Sequence, residues 1–597
     1  MLIPLPDDLE NPANYPRNPW FFSILLLIVL LFGLIMKSYL DQPQLLTDPF
    51  LQLPTANSVR VVWFTEFPGI SNKVIYGEEL NQSAIATTTK LSRTREDKDS
   101  YISDIHKRGI VDNNSIVRDI WRHEAKVANL IPGVTIPYLV TSERVDNQSV
   151  SSKIFTLSPT PIVGTPLQIL LTSDHQLMPM TAANLQKVAE TIGKVDAVFM
   201  AGDLVNIADR ASEWFDDVRG RAFFPCLQGR GFSQLDKNGT QTIYTGGELI
   251  QHAPLFPAIG NHEIMGRFST VSKLNDQFND PFPRAAAEKI YQSQAEKSAV
   301  KDKDTWLKNH TFNNDTYREI FTLPGDKNYY AVTFGDVRLV TLYITNIWRT
   351  PNLDPAAKGR YRERNEDFNN FEKWGYGQHI FEPIVKGSPQ YNWLQKELNS
   401  PEFQQAKYKF VMFHHPPHSL GDNIVPAYTD PVQIIDRDAE GTIKMIRYEY
   451  PKKQDYIIRD VIPLLEKAKV QLVLYGHSHL WNRFVGASGM HFLETSNVGN
   501  SYGAFFGEKR RFVPPAYDED YSATGDPNGL NPAIPTIAPL LADGKQLPYI
   551  DSNDITVFSI FDTGDGVVTS YYFDTRKPES EVVKFDEFKL KSSSTSL

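Results

Sequence analysis

The sequence predicts a layered α/β domain that follows an all-β sandwich and an N-terminal transmembrane helix. Three observations support this fold class. An uncharged apolar stretch lies near the N-terminus, short β-type runs separated by turn signals fill residues 45–158, and apolar runs alternate with amphipathic helices from residue 167 onward. The length of 597 residues suits several domains, at about 150 residues per domain.

Composition excludes several classes of protein. Apolar residues make up 41% and charged residues 22% of the chain, which is typical of a globular protein and excludes a disordered or fibrous one. The net charge of −10 gives no basic footprint, so we expect no nucleic-acid binding. Cys226 is the single cysteine, which excludes an intramolecular disulfide and a thiolate zinc cluster. Histidines and carboxylates remain as metal ligands.

The N-terminal apolar stretch predicts a membrane anchor. No charged residue lies between Arg17 and Lys37, and a helix rising about 1.5 Å per residue would cross the roughly 30 Å hydrocarbon layer over this length. A cleaved signal peptide is the alternative, but the run is longer than the usual apolar region and no small-residue cleavage site follows it. We therefore expect residues 1–19 to be a short tail and residues 20–40 to be a single-pass anchor through which the protein meets the membrane.

The rest of the chain divides by its pattern. Residues 45–158 read as the sandwich, in which the charged stretch Lys90 to Gly109 is expected to be a solvated surface insertion. Residues 159–166 are rich in proline and suit a stiff linker. We expect residues 167–577 to form the α/β domain and residues 578–597 a C-terminal tail.

Polar clusters follow apolar runs of the α/β domain. Carboxyl ends of strands that share a sheet meet in one crevice, so these clusters are expected to converge. The insertions 206–253, 266–330, 346–390 and 418–455 would roof that crevice. The clusters are Asp174-His175-Gln176, Gly202-Asp203, Gly260-Asn261-His262-Glu263, His414-His415-Pro416-Pro417 and Gly476-His477-Ser478-His479.

These residue types point to metal chemistry. Asp, Asn and His suit Zn, Mn or Fe, and a pair of such ions about 3.5–4 Å apart can activate water and clamp a phosphoryl group. In an extended segment residues i and i+2 point the same way, so His477 and His479 can both face the crevice. Asp174 and Gln176 share a face by the same rule, while His175 points elsewhere unless the strand has already turned.

The ordered set Gly202-Asp203, Gly260-Asn261-His262-Glu263, His414-x-Pro416 and Gly476-His477-x-His479 resembles the calcineurin-like metallophosphoesterases. With the sandwich ahead of it, the chain is similar to the purple acid phosphatase branch, whose N-terminal domain is fibronectin-III-like. The resemblance implies an α/β/β/α sandwich that holds two metal ions.

Site roles follow from the resemblance position by position. It implies that Asp203 bridges the two ions and that His262 protonates the leaving group or orients the substrate. Glu263 would hydrogen-bond His262 and set its basicity, or would instead cap local backbone. The implied metal ligands are Asp174 and His479 on the first ion, Asn261, His414 and His477 on the second, and Asp203 on both. The accessory candidates are His175, Gln176, Glu263 and His415.

Two positions depart from the pattern of that branch. Asn206 stands where purple acid phosphatases carry the tyrosine that gives their colour, so this protein is not expected to be purple. Asp174-His175-Gln176 replaces Asp-x-His, so Gln176, His175 or water would complete the first ion's ligands. Divalent Mn, Zn or Fe is therefore favoured over ferric iron.

The resulting hypothesis is a membrane-anchored phosphoesterase that hydrolyses a small phosphate ester through attack by a metal-bound hydroxide. A phosphomonoester is favoured, and a phosphodiester or nucleotide stays open. A surface binding module with a degenerate metal site is the alternative from another class. The soluble part is expected to be extracytoplasmic, because the branch that the chain resembles is mostly exported.

Overall fold

The computed structural model describes residues 42–591 except 105–106, 108, 296–301, 350–360, 422, 424–426, 505–530, 533–540, 543 and 547–548. The predicted tail and membrane anchor, residues 1–19 and 20–40, lie outside the described residues. Within the described ranges, no helix has both the length and the apolar character that crossing a bilayer requires.

The N-terminal region is built from β-strands, as the sequence predicts for residues 45–158. Apolar side chains from two of its sheets share one core, in which Val61 and Trp63 meet Val74, Tyr138 and Val140. The described strands of one sheet are, in order, Phe50–Thr55, Ser58–Thr65, Trp121–Ala128 and Thr87–Lys90. Those of the other are Ser149–Ser151, Ile136–Glu143, Ser71–Tyr76 and Gln82–Ile85, with Phe155–Leu157 also paired to Ile136–Glu143.

Residues 95–97 of this charged stretch are buried, which corrects the expected solvated surface at these positions, whereas Lys98 and Asp99 are exposed as expected. Arg95 pairs with Asp209 at 2.8 Å, and both side chains are almost fully covered. Glu96 and Asp97 are equally buried, and they pair with Arg118 at 3.0 Å and Arg210 at 3.1 Å. These partners lie up to 114 positions away in the sequence. The stretch alone shows only alternating charges, which are typical of a solvated surface. The pairs with residues 209 and 210 join this stretch to the following domain.

The first central sheet of the α/β domain carries Asp174 and Asp203 just after its strands. Its strand Gln168–Thr172 runs parallel to Ala197–Met200, which runs parallel to Leu255–Pro257. The described strands are, in order, Leu255–Pro257, Ala197–Met200, Gln168–Thr172, Ile555–Asp562, Val567–Asp574 and Val583–Lys589. The last strand pairs with Val567–Asp574, so sheet structure continues into residues 578–597, where a tail was expected.

The second central sheet carries the ligands that come later in the chain. Its strands Val337–Thr341, Tyr408–Met412, Leu472–Tyr475 and His491–Thr495 are parallel neighbours. The described strands are, in order, Tyr330–Phe334, Val337–Thr341, Tyr408–Met412, Leu472–Tyr475, His491–Thr495, Trp481–Val485 and Asn531–Pro532, with Tyr549–Ile550 also paired to Trp481–Val485.

The two central sheets pack face to face. Ile169, Leu171 and Phe199 of the first sheet share a buried cluster with Phe410 and Leu472 of the second. Helices cover the outer faces, and they include Thr181–Ile192 on the first sheet and Pro389–Leu398 and Ile462–Lys467 on the second. The convergence argument assumed that the apolar runs before the five polar clusters share one sheet. They lie in two sheets instead. Their carboxyl ends still meet, because both sheets present these ends at the same edge.

The insertions and the other connecting segments contain secondary structure of their own. The helices there are Ala211–Phe215, Phe223–Leu227, Leu274–Phe278, Arg284–Ala295, Lys303–His310, Asp315–Ile320 and Pro401–Gln405, with single turns at Asn261–Glu263, Asn365–Asp367, Phe371–Lys373, Lys452–Gln454 and Ile457–Val461. Small sheets pair Ser233–Lys237 with Thr240–Tyr244, Asn346–Trp348 with Gln378–Ile380, Leu541–Ala542 with Lys545–Gln546, Arg95–Glu96 with Ile116–Val117, and Ile443–Glu449 with both Tyr361–Arg362 and Val432–Arg437.

Candidate metal centre

Sharp turns deliver the predicted ligands from the strand ends. Asp174, Asp203, His477 and His479 all have positive φ, between 52° and 77°. This backbone region is costly for a residue with a side chain, and such residues collect at functional sites. Gly202 (φ 98°) has no room for a side chain either, because a Cβ there would lie 2.8 Å from the backbone nitrogen of Gly260. The turns are thus packed tightly against one another.

One donor group joins both central sheets. Donor atoms of Asp203, His414 and His477 lie within 4.8 Å of one another. Nε2 of His414 is 3.0 Å from Oδ2 of Asp203, 3.2 Å from Oδ1 of Asn261 and 3.2 Å from Nδ1 of His477. This group contains the ligands that the resemblance implies for the second ion.

Hydrogen bonds fix which nitrogen of each ring faces the centre. Nδ1 of His414 donates to the carbonyl oxygen of Ala201 (2.9 Å), and Nε2 of His477 donates to the carbonyl oxygen of Asn423 (3.2 Å). The remaining nitrogens face each other and Oδ1 of Asn261, and both offer lone pairs to a cation once His414 gives up its proton. Such a convergence of acceptors fits a cation, and orientation of a ligating histidine by a carbonyl is usual at metal sites.

A second donor group shares one carboxylate with the first. Among the described residues, Asp174, Asp203 and His479 form this group, again within 4.8 Å. Nε2 of His479 lies 3.4 Å from Oδ1 of Asp174, and its Nδ1 donates to the carbonyl oxygen of Asn500 (3.1 Å). Because Asp203 belongs to both groups, its carboxylate lies where a ligand bridging two ions would be.

The carboxylate of Asp203 is held in the charged form. Burial raises its pKa, but the nearby rings of His414 and His262 oppose that effect and bring the pKa well below the ordinary value. Burial likewise lowers the pKa of His414, yet the carboxylates of Asp203 and Asp174 outweigh it and raise the pKa to about 10. The centre therefore concentrates negative charge, which favours a bound cation.

Gln176 lies at the centre and His175 does not. Nε2 of Gln176 donates to Oδ2 of Asp203 (3.1 Å), and its Oε1 accepts from Nδ2 of Asn500 (3.4 Å). Nε2 of His175 instead bonds with the hydroxyl of Thr172 (2.9 Å), and burial lowers the pKa of this ring to about 3. Of the two side chains considered for completing the first ion's ligands, the structure brings Gln176 next to the shared carboxylate.

His262 is oriented by a backbone carbonyl. Its Nδ1 donates to the carbonyl oxygen of Asn206 (2.7 Å), and its ring stacks on Phe278 at 4.8 Å between centroids. Nε2 lies 4.0 Å from Oδ2 of Asp203, and 23% of the side chain is exposed. Nε2 is thus free to exchange a proton with a group bound beside Asp203.

In the described structure, Glu263 does not hydrogen-bond His262, which is the role that the resemblance implies. It caps local backbone, which is the alternative role. Its carboxylate accepts hydrogen bonds from the backbone amides of Gly260 (2.7 Å), Asp203 (2.9 Å) and Leu204 (2.7 Å). The described contacts include no hydrogen bond between Glu263 and His262. Glu263 therefore ties two ligand-bearing turns together, while the carbonyl of Asn206 orients His262.

His415 supports the ring of a ligand from behind. Its ring lies 4.6 Å from that of His477 and 5.0 Å from that of Tyr428, and it belongs to neither donor group of the described residues. Burial, with the neighbouring His477 and His414, lowers its pKa well below the ordinary value. His415 is therefore neutral and packs against the site.

Comparison with known proteins agrees with this geometry. A model of the calcineurin-like phosphoesterase family matches residues 167–480, which is more than half of the chain. The chain belongs to this family. Calcineurin-like phosphoesterases use a dinuclear metal centre, and the two donor groups that share Asp203 suit one.

A solved structure supports the fold. The purple acid phosphatase PPD1 from seeds of yellow lupin (Lupinus luteus) superposes with a TM-score of 0.50 and 14% sequence identity, over 90% of this chain and 73% of that one. At this identity the likeness concerns the fold alone. A search of curated proteins finds no match to the chain.

Some residues of this calcineurin-like phosphoesterase site were missed by sequence reasoning. Asn423 and Asn500 orient His477 and His479 through backbone carbonyls, for which residue type gives no signal, and the side chain of Asn500 also bonds with Gln176. The ring of Tyr502 stacks on that of His479 at 4.8 Å between centroids. Tyr502 comes after the strand His491–Thr495 and outside the polar clusters, so nothing in the sequence points to this contact.

Glu494 is the missed residue with the most contacts. It is fully buried and accepts hydrogen bonds from the backbone amide of Ser478 (2.9 Å), the hydroxyl of Ser496 (2.6 Å) and Nδ2 of Asn482 (2.5 Å). Nε2 of His418 lies 3.4 Å from the same carboxylate. Because Ser478 separates His477 from His479, Glu494 holds the turn that carries two ligands.

Replacing Glu494 by Ala is expected to destabilise the protein and weaken metal binding. Several buried donors would lose their acceptor, so we expect the free energy of unfolding to fall by about 3 kcal/mol or more, measured by urea denaturation. Metal affinity is expected to drop about 10–100-fold, as for other groups that orient ligands. Glu440→Ala, a change at an exposed turn, is the control. Equal stability and equal metal affinity of both variants would contradict the role given to Glu494.

Proposed function

We propose that the chain is a phosphoesterase that hydrolyses phosphate esters, with phosphomonoesters favoured, and that it uses two divalent ions of Mn, Zn or Fe. The observation that carries the proposal is the pair of donor groups that share the Asp203 carboxylate. His262 lies beside that carboxylate, and its side chain is partly exposed. A bound phosphate ester could therefore meet both the ions and a proton donor.

The metal ions, when bound, would supply an activated water and neutralise phosphate charge. The chain's own residues would do the rest. Asp203 would contribute to both sites, and the rings of His414 and His477, which are fixed by backbone carbonyls, would turn their other nitrogens toward one point. His262 would donate a proton from Nε2 to the leaving oxygen, since Nδ1 is held by Asn206.

The preference for monoesters is supported by the fold. The likeness to a purple acid phosphatase covers most of this chain.

Asn206, which replaces the colour-giving tyrosine, turns its Nδ2 to the carbonyl oxygen of Gln176 at 2.8 Å. Its side chain thus supports the turn that holds Gln176, and the protein is expected to lack the purple colour.

The test uses the full chain, purified without chelator. We expect about two metal ions per chain by elemental analysis. Turnover of an aryl phosphomonoester should depend on added Mn, Zn or Fe and exceed that of the matching aryl phosphodiester. Faster turnover of the diester would assign the site to phosphodiesters. A folded protein with neither metal nor turnover would favour a surface binding module.

We further propose that residues 20–40 anchor the protein as a single-pass helix, with a fibronectin-III-like sandwich and the catalytic domain on the extracytoplasmic side. The uncharged run between Arg17 and Lys37 supports the anchor. The measurement is protease treatment of intact cells, in which the soluble part should be digested. Complete protection in intact cells, with digestion after lysis, would contradict this orientation.

A further inference from the structure

A basic cavity lies at the other end of the second central sheet. Its volume is about 620 Å³. Among the described residues that line it, Glu466 is the acidic one. Oε1 of Glu466 accepts a hydrogen bond from the hydroxyl of Ser488 (3.1 Å). The basic lining residues are Lys409, Lys467, Lys469, Lys589 and Lys591. The lysines outnumber this glutamate, so the cavity carries a strong positive charge.

The cavity is separate from the metal centre. Lys409 is the second residue of the strand Tyr408–Met412, which ends before His414, and Gln471 precedes the strand Leu472–Tyr475, which ends before His477. At about 3.3 Å per residue, the five residues from Lys409 to His414 place the two sites about 16 Å apart. The lining of the cavity contains none of the residues of the two donor groups.

One of the lysines is buried. Lys409 is only 4% exposed, and its ammonium lies 5.5 Å from the centre of the Phe403 ring. Within the described ranges, no carboxylate forms an ion pair with it. A buried charge without a counter-ion is costly, and burial together with the nearby charge of Lys469 lowers the pKa of Lys409. An anion in the cavity would offset that cost.

The cavity is held together by specific contacts. Oε1 of Gln471 accepts from the backbone amide of Lys409 (2.5 Å), and its Nε2 donates to the carbonyl oxygen of Lys591 (2.6 Å). The ring of His491 stacks on Phe588 at 4.4 Å between centroids. Nδ1 of His491 is buried without a hydrogen-bond partner in the described part of the chain. These contacts join segments from both central sheets around the lysines.

We propose that this cavity binds a small soluble anion with several negative charges, of the class of phosphate-bearing metabolites or short polyphosphates. Lysine ammonium groups bind phosphate as point charges, and the volume lies within the usual range for ligand pockets, roughly 300–1,000 Å³. A membrane surface is a poorer fit, because a flat array of headgroups would not reach the buried Lys409. The inference does not depend on the reaction at the metal centre.

The test measures protection of individual lysines in the full chain. Lysines are acetylated with and without tripolyphosphate, and the modified peptides are quantified by mass spectrometry. We expect tripolyphosphate to slow acetylation of Lys469, Lys589 and Lys591, while the exposed Lys98 and Lys126 react equally in both samples. This local readout separates the cavity from anion binding at the metal centre.

Two double variants provide a second test of the proposed anion site. Lys469→Ala with Lys591→Ala, both exposed positions, should weaken tripolyphosphate binding at least about tenfold by calorimetry, since each charged contact contributes strongly. Lys98→Ala with Lys126→Ala changes the net charge equally and should bind like the wild type. Unchanged labelling, equal affinity of the two double variants, or protection by vesicles of anionic phospholipid but not by tripolyphosphate would overturn the proposal.

Discussion

Asp203→Asn is expected to lower turnover by at least about 10³-fold, the scale of losing a central electrostatic contact in an active site. The asparagine keeps the size of the side chain but removes the charge that both donor groups share. We also expect the metal content to fall below two ions per chain, because neither site keeps its full set of charged ligands. Turnover is measured with an aryl phosphomonoester under saturating metal, and metal by elemental analysis.

The control for this variant is Asp196→Asn. Asp196 lies at the opposite end of the first central sheet, where its carboxylate accepts from the backbone amide of Gln168 at 2.8 Å. The same chemical change there should leave both metal content and turnover near wild-type values. An Asp203→Asn protein that keeps two ions and full turnover would remove the basis for a shared carboxylate.

The sequence could place the ligands because their positions follow from local rules. Asp203 and His477 each follow a short apolar strand and a glycine, so a turn at a strand end was the natural prediction. The α/β layering followed from the same strands, which are buried along their whole length and so are covered on both faces. Assignment of the strands to one sheet or two requires pairing partners, which local pattern does not give.

Contacts between distant segments explain what the sequence could not show. The pairing of Arg95 with Asp209 spans the boundary between two regions, so an alternation of charges looked like solvated surface. The partner of His262 is a backbone carbonyl, and any residue type at position 206 offers one. Glu263 follows His262 directly, and only the turn geometry shows that its carboxylate points at three backbone amides.

The strained turns also connect the fold to the proposed chemistry. A positive φ at Asp174, Asp203 and His479 is unfavourable unless surrounding contacts enforce it. For the turns that carry Asp203 and His479, Glu263 and Glu494 provide those contacts from buried positions by binding backbone amides. The ligand geometry is therefore set by the fold before any ion binds, which is the arrangement that catalysis by positioned charges requires.

His262→Ala is expected to lower turnover by about 10²–10⁴-fold, the usual contribution of a general acid, and to leave the metal content unchanged. The loss should depend on the leaving group. An alkyl phosphate releases a strongly basic alkoxide and needs the proton, whereas a nitrophenyl phosphate releases a stable phenolate and needs it less. We therefore expect a larger loss for the alkyl ester, measured as the ratio of kcat/KM between wild type and variant for each substrate.

His310→Ala is the matched control, because His310 is an exposed histidine on the helix Lys303–His310 and lies outside both donor groups. It should behave as the wild type with both esters. Loss of metal from His262→Ala would instead make His262 a group that supports the ions. An equal loss for alkyl and nitrophenyl esters would exclude proton donation to the leaving oxygen, since only that step distinguishes the two substrates. Substrate positioning by the ring would then account for the loss, with Phe278 and the Asn206 carbonyl holding the ring in place.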